Sequence, residues 1–307
     1  MAMSAQREPL SGERWHFQHG PIDIVIGANG EARASQEAHD AAWRRFETVL
    51  GELVAELPLL RRPVDGDCPL QGEIARRMWQ ACHPYRDTFI TPMAAVAGAV
   101  AQELIACYER PGIARAWVNN GGDIALHLAA GESLCVGLFA DLGRLQSANA
   151  KPLRIDGDFS VDAGMPVRGI ATSGWRGRSF SLGIADSVTV LAATAAQADA
   201  AATIIANAVD IDDPRIVRRP ACEMKDDTDL GEMLVTVDVP TLGEMACYQA
   251  VRAGQRRARE LQAAGLVQSS VIVCQGWFAT ADTQPRLRHQ SQDAAGASLD
   301  CADLLVA

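Results

Sequence analysis

Asp199 and Thr203 stand four residues apart in the alanine-rich stretch ADAAATIIANAV. On a helix, side chains at that spacing project from one face, one turn above the other. A carboxylate and a hydroxyl so placed can give two oxygen ligands to a hard cation such as Mg²⁺, which keeps waters and substrate phosphates as its remaining ligands. A structural role fits as well, since an acidic residue near a helix start favours the macrodipole and a helical threonine can bond a preceding carbonyl. Two further stretches gather small and polar residues. VNNGGDI sets Asn119, Asn120, Gly121, Gly122 and Asp123 between two alternating apolar runs, more turn-forming residues than a hairpin requires. GIATSGWRGRSF breaks an apolar strand at Thr172, Ser173 and Gly174. Hydroxyls and backbone N–H groups there can meet an anion or a substrate carbonyl, or can simply make a turn. Ser173 and Ser179 fall outside a G-x-S-x-G elbow, because GRSFS ends on Ser181. The six histidines include no metal-spaced pair; His16 and His19, three apart in a strand or turn, come nearest.

These residues need elements to hold them. RWHFQHGPIDIVIGANG predicts a hairpin turning at Gly20-Pro21. Residues 34–57 follow a helical pattern through Trp43, Phe46, Leu50, Leu53 and Leu57, ended by Pro58, and a second helix is expected over 70–82, stopped by Pro84. Thr91 and Pro92 suit the cap and first position of a third helix, built from Ala, Gly and Val, whose small side chains let another backbone or a ligand approach. Strands are expected at 114–119, 124–129, 133–139, 151–156, 167–172 and 187–193, then a helix at 195–209. A strand at 232–239, a polar-faced helix at 241–264 and a strand at 267–274 follow. Beyond Trp277 the chain reads as polar and loose, with the terminal LLVA able to dock. The expected architecture is α+β, a mixed sheet with helices, in a single domain over 1–280 with a helical N-terminal part and a flexible tail at 281–307.

The 307-residue chain carries a formal net charge of −10. Phosphate-backbone binding requires clustered Lys and Arg, and an acidic chain whose arginine pairs sit on helices argues against nucleic acid as a partner. Eight scattered cysteines without a C-x-x-C pair argue against a zinc ribbon or a disulfide scaffold and for reduced thiols in a cytoplasmic protein. The N-terminus shows no secretory h-region, and no apolar run is long enough for a membrane span.

In combination, the small-residue helix, VNNGGDI, ATSG, and a VTV strand leading into ADAAAT resemble the ordered motifs of the ApbE family over roughly residues 88–210. Members of that family are flavin transferases that use Mg²⁺ to move FMN from FAD to a threonine or serine of a target protein. More narrowly, TPMAAVAGAVA, NGGDIAL and ADAAATIIAN are similar to an uncharacterised ApbE-like family, with a fold related to the T-fold. The resemblance implies Asp199 and Thr203 as side-chain Mg²⁺ ligands with a backbone carbonyl at Ala97. It implies Asn120, Gly121, Gly122 and Asp123 as the wall of a flavin or nucleotide cleft, with Asp123 facing the ligand. It also implies Thr172, Ser173 and Gly174 near the pyrophosphate and metal, and FAD and Mg²⁺ as cofactors. Two departures stand out. Ala97 replaces the lysine of the family's A-x-A-K-G, and SLGIADSVTV keeps Asp186 but lacks the rest of H-x-x-D-P-x-T-G.

The resemblance favours an Mg²⁺-dependent flavin-handling enzyme, transferase-like in chemistry. The alternatives are the same fold acting on another small molecule, as a hydrolase or ring-modifying catabolic enzyme, or a non-enzymatic accessory protein that uses its acidic surface and the helix at 241–264. The partners expected are a small-molecule ligand and a second copy of the chain, since the alanine-glycine helix suits a dimer contact as well as a cleft.

Overall fold

Apolar residues alternate through the early strands and recur at helical spacing just after them, and each pattern closes on the other. The computed structural model describes residues 4–138, 157–282 and 305–306. In chain order the first half runs β1 (Gln6–Leu10), β2 (Arg14–His19), β3 (Ile22–Gly30), α1 (Ala32–Ala55), α2 (Leu57–Leu60), α3 (Glu73–Cys82), α4 (Val96–Ile105), β4 (Ile113–Asn120) and β5 (Asp123–Leu128). The second half runs β6 (Ser133–Leu138), β7 (Gly157–Asp162), β8 (Gly169–Ser173), β9 (Ser187–Ala192), α5 (Ala195–Ala208), β10 (Val217–Pro220) and α6 (Ala221–Met224). It continues with β11 (Leu234–Asp238), α7 (Glu244–Ala263), β12 (Ser269–Cys274), β13 (Trp277–Asp282) and β14 (Leu305–Val306). The class is α+β, as the sequence predicts.

The chain packs as two units: residues 1–132, 163–171 and 191–200 in the first, and 133–162, 172–190 and 201–307 in the second. In the first unit β1 to β5 and then β8 pair antiparallel in that order. Ile22, Ile24, Ile26 and Ala28 alternate inward along β3, and α1 answers with Ala38, Ala42, Phe46, Val49 and Leu53 at helical spacing. Phe17 of β2 packs edge-on against Trp43 at 5.2 Å and tilted against Phe46 at 5.4 Å between ring centroids. Full burial of each such side chain contributes about 1.5–3 kcal/mol, which is why these apolar faces fix the position of α1. Helix α4 lies on β4 and β5.

In the second unit β12 and β13 form an antiparallel hairpin beside β9, with α7 packed on it. Helix α7 buries Cys247, Ala250, Val251, Gly254, Ala258 and Leu261 along one stripe. Strands β6 and β7 pair antiparallel, and Leu305–Val306 adds to β6 in parallel.

Several expectations change. The helix predicted to open on Thr91-Pro92 begins as a 3-10 turn, Pro92–Ala95; Thr91 makes no side-chain cap bond, and Ala95 at φ −127° interrupts the spiral before Val96. Trp277–Asp282 is a strand although it looks polar and loose, because hairpin pairing with β12 supplies the order that its composition does not. Strands β1 and β10 carry too few buried residues to announce themselves. The strand expected at 151–156 and residues 283–304 of the expected tail lie outside the described residues.

Candidate functional site

The NNGGD turn resolves into separate tasks. Asn120 and Asp123 are the last cross-strand pair of β4 and β5, so Gly121 at φ 69° and Gly122 at φ 110° alone make the reversal. Two consecutive positive φ values are what a tight hairpin of this hand requires, and glycine adopts them without strain. Asn119 fixes the turn by accepting the Gly122 N–H on Oδ1 at 2.8 Å. Asn120, only 8% exposed, is not part of the turn: its Nδ2 donates to the Ala97 carbonyl at 3.1 Å. It ties the hairpin to the start of α4.

The same helix start meets Asp199. Oδ2 of Asp199 accepts the backbone N–H of Gly98 at 2.9 Å. The first N–H groups of any helix lack intrahelical partners, so α4 has a donor at its positive end that a carboxylate from α5 satisfies. The approach depends on glycine: a Cβ at Gly98 would stand 2.3 Å from the Ala195 carbonyl oxygen and 2.9 Å from the Asp199 Cβ. Gly169 makes a second such contact, where a Cβ would lie 2.1 Å from the carbonyl carbon of Thr194. Gln102 reaches back to the start of α5, its Oε1 3.4 Å from the Ala196 N–H. Burial among these small residues pushes the Asp199 carboxyl up to about 7, while the backbone at Gly98 and Ala97 pulls it the other way.

The first unit therefore brings together Ala97, Gly98, Asn120 and Asp199, with Asp123 beside Asn120 in the ladder. Thr203 follows Asp199 by one turn of α5 and belongs to the second unit. Among the described residues, no three His, Cys, Asp or Glu side chains converge as a metal cluster. The oxygen donors that the sequence points to are of another kind, one carboxylate, one hydroxyl and one main-chain carbonyl.

Thr172, Ser173 and Gly174 lie in the second unit. The hydroxyls of Thr172 and Thr189 are 2.9 Å apart. Gly174 backs onto the chain at Asp186, where a Cβ would meet the carbonyl oxygen at 2.4 Å. Trp175 N–H donates to the Ala185 carbonyl at 3.0 Å, and Gly177 N–H to that of Gly174 at 3.0 Å, closing a turn. The Arg176 guanidinium lies 4.8 Å from the Trp175 ring centroid. Its Nε is 3.9 Å from Oδ1 of Asp186, whose Oδ2 accepts the Gln275 N–H at 2.5 Å. Burial first, and the negative charge of Asp186 second, raise the Cys247 thiol and push that of Cys274 up to about 12. Reading the sequence missed Trp175, Arg176 and Gln275. The two arginines and the tryptophan directly after TSG were the available signal for the first two.

Residues 5–280 match the protein-family model described as AbpE bacteria. A UPF0280 protein of Methanopyrus kandleri is 36% identical over 208 residues, covering 67% of this chain and 78% of that protein. A UPF0280 protein of Methanoculleus marisnigri is 38% identical over 207 residues, again 67% of this chain and 78% of that protein. Among solved structures, the ApbE protein of Thermotoga maritima compares at a TM-score of 0.42 and 12% identity, over 91% of this chain and 97% of that one. The flavinyl transferase ApbE of Pseudomonas stutzeri compares at 0.40 and 10%, over 90% and 93%. Among the described residues, no helix is long and apolar enough to cross a membrane.

Proposed function

The chain belongs to the family described as AbpE bacteria, and from that premise we propose that it is a flavin-handling, Mg²⁺-dependent enzyme acting on FAD. The observation that carries the reading is the Asp199 carboxylate, held against the start of α4 with its pKa pushed up to about 7. A carboxylate so desolvated gains from a nearby cation as much as from a proton. Asp199, the Thr203 hydroxyl and the Ala97 carbonyl are all oxygen donors, the set a hard cation takes. When bound, Mg²⁺ would screen the charge of a pyrophosphate. Asn120 fixes the Ala97 carbonyl by donating to it, Gly98 admits the carboxylate, and Asp123 stands beside Asn120 at the mouth of the hairpin. In the fuller form of this reading, FMN passes from FAD to a hydroxyl of a target protein and AMP leaves.

A second reading keeps the fold and gives it another small substrate. It is favoured by one residue, Ala97, which stands where the family pattern has lysine. Purified protein is titrated with FAD by tryptophan quenching, with and without Mg²⁺. Affinity that strengthens with Mg²⁺ is expected; no FAD binding in the presence of Mg²⁺ sinks the flavin reading in favour of the second.

A further inference from the structure

Helix α7 turns to solvent a face unlike the rest of an acidic chain. Met245, Tyr248, Arg252, Arg256 and Arg259 recur along it at helical spacing, a ribbon about 21 Å long. At its apolar end Tyr248 meets Trp277 of β13 edge to face, ring centroids 6.1 Å apart. The turn between β12 and β13 fixes this pair. Gln275 sits there at φ 46°, a region that side chains other than glycine enter at a cost, and its amide holds the approach to α7 from both ends. Oε1 accepts the Leu242 N–H at 2.9 Å and Nε2 donates to the Pro240 carbonyl at 2.7 Å. Met245, Tyr248 and Trp277 are 66%, 46% and 38% exposed. At the other end of the ribbon Arg256 and Arg259 are exposed, with no acidic partner among the described residues.

The complement of that ribbon lies in the same unit. Residues 223–232, which lead from α6 to β11, hold Glu223, Asp226, Asp227, Asp229 and Glu232 against a single lysine, Lys225. The segment is closed at its base, where Ala221 N–H donates to the Met233 carbonyl and Cys222 N–H to the Gly231 carbonyl, each at 2.9 Å. Glu223 and Asp226 are exposed, with no basic partner among the described residues. Beside them Met224 and Leu234 are 42% and 54% exposed. One surface is thus apolar with a cationic flank, the other apolar with an anionic flank. The alanine-glycine helix α4, the dimer surface expected from the sequence, is spent inside its own unit, with Gly98, Ala99, Val100 and Ala101 buried.

We propose that the protein pairs with a second copy of itself about a two-fold axis, the exposed face of α7 in each copy receiving residues 223–234 of the other. Met245, Tyr248 and Trp277 cover Met224 and Leu234, while Arg256 and Arg259 meet Glu223 and Asp226. The same contact is made twice about the axis, which closes the assembly. Setting α7 against α7 would instead bring arginine beside arginine, and like charges so placed repel. The five apolar side chains expose on the order of 400 Å² per copy, about half of the roughly 800 Å² that each partner gives to a standard interface. The apolar stems of the arginines add to it. Tyr, Trp, Met and Arg are also the side chains in which interfaces are enriched. The contact uses none of the side chains assigned to the flavin reading, and stands or falls apart from it.

Sedimentation velocity on the full chain, run up to about 100 µM, should show wild type as a dimer, since interfaces of this size reach micromolar affinity or better. Arg256→Glu with Arg259→Glu is expected to weaken the dimer at least tenfold, and so is Glu223→Arg with Asp226→Arg. The second pair brings the chain closer to neutrality, so a loss there does not come from general repulsion. All four changes together restore opposite charges across the contact and should return the affinity to within threefold of wild type. Arg33→Glu, exposed on the first unit, is the control and should match wild type. Circular dichroism checks that each variant is folded; if a reversed pair is not, Arg256→Gln with Arg259→Gln must still weaken the dimer several-fold. A wild-type monomer throughout that range, or growth past two copies, overturns the proposal. So does a folded charge-reversed pair that dimerises normally, or a four-change variant no tighter than either pair.

Discussion

Asp199 accepts the backbone N–H of Gly98 at 2.9 Å across 101 residues of sequence, so the carboxylate is at once a cap for α4 and an acid whose pKa burial raises. A folded-state pKa near 7 lies above the ordinary value of about 3.9, so the ionised form opposes folding increasingly as pH rises from about 4 to about 7. Asp199→Asn keeps an acceptor for Gly98 and carries no charge. Thermal unfolding at pH 8 should show this variant as stable as wild type or more so, with Mg²⁺-dependent FAD binding lost. Retained Mg²⁺ dependence in Asp199→Asn removes Asp199 from the ligand set. Asp199→Ala also loses the cap, at about 1 kcal/mol.

Gly98→Ala places a methyl 2.3 Å from a backbone oxygen that no rotamer can clear. Overpacking of this kind costs about 1–3 kcal/mol, and a fall in Tm of roughly 3–10 °C is expected. Gly51→Ala in α1, where a Cβ meets nothing within 4 Å, is the control, and should gain up to about 1 kcal/mol. Equal Tm for the two variants would show that the close approach of α4 and α5 is not tight.

Burial pushes the His39 imidazole down to about 4, and its Nδ1 lies 2.7 Å from the Tyr108 hydroxyl. A folded pKa below the ordinary value of about 6.5 means that the neutral ring's contribution is complete above about pH 6.5 and is lost as pH falls towards about 4. Tm measured across that window should drop more steeply in wild type than in His39→Gln. Parallel pH profiles would place the titration elsewhere.

Gln275→Gly relieves the positive φ and removes the amide clamp. Hydrogen exchange at the Leu242 N–H should speed up about fivefold, the equivalent of about 1 kcal/mol for one hydrogen bond, while the β12–β13 hairpin persists. Unchanged protection at Leu242 counts against the clamp.

How far these features were legible depended on whether their cause was local. The α1 stripe, the Gly121-Gly122 turn and the α5 helix are written in spacing and backbone preference, and reading them needs no knowledge of distant chain. Asp199 was legible as a ligand type, yet its cap on Gly98 was not, because the donor is supplied by a helix far away in sequence. Thr91-Pro92 carried a correct start signal, but the first turn tightened, which capping chemistry alone does not decide. Gln275 had no signal at all: glutamine is an uncommon occupant of the left-handed region, and its bonds to Asp186, Pro240 and Leu242 come from distant chain. Trp277–Asp282 failed for the opposite reason, since a strand at a sheet edge needs little apolar content once its neighbour is in place.

Gly98 and Gly169 have one more consequence. Where main chain rests on main chain, there is no side-chain layer between, so backbone contact alone sets how closely α4 and β8 approach the start of α5. The Asn120 hairpin and the Asp199 carboxylate are thereby registered to one another through two adjacent residues of α4, Ala97 and Gly98.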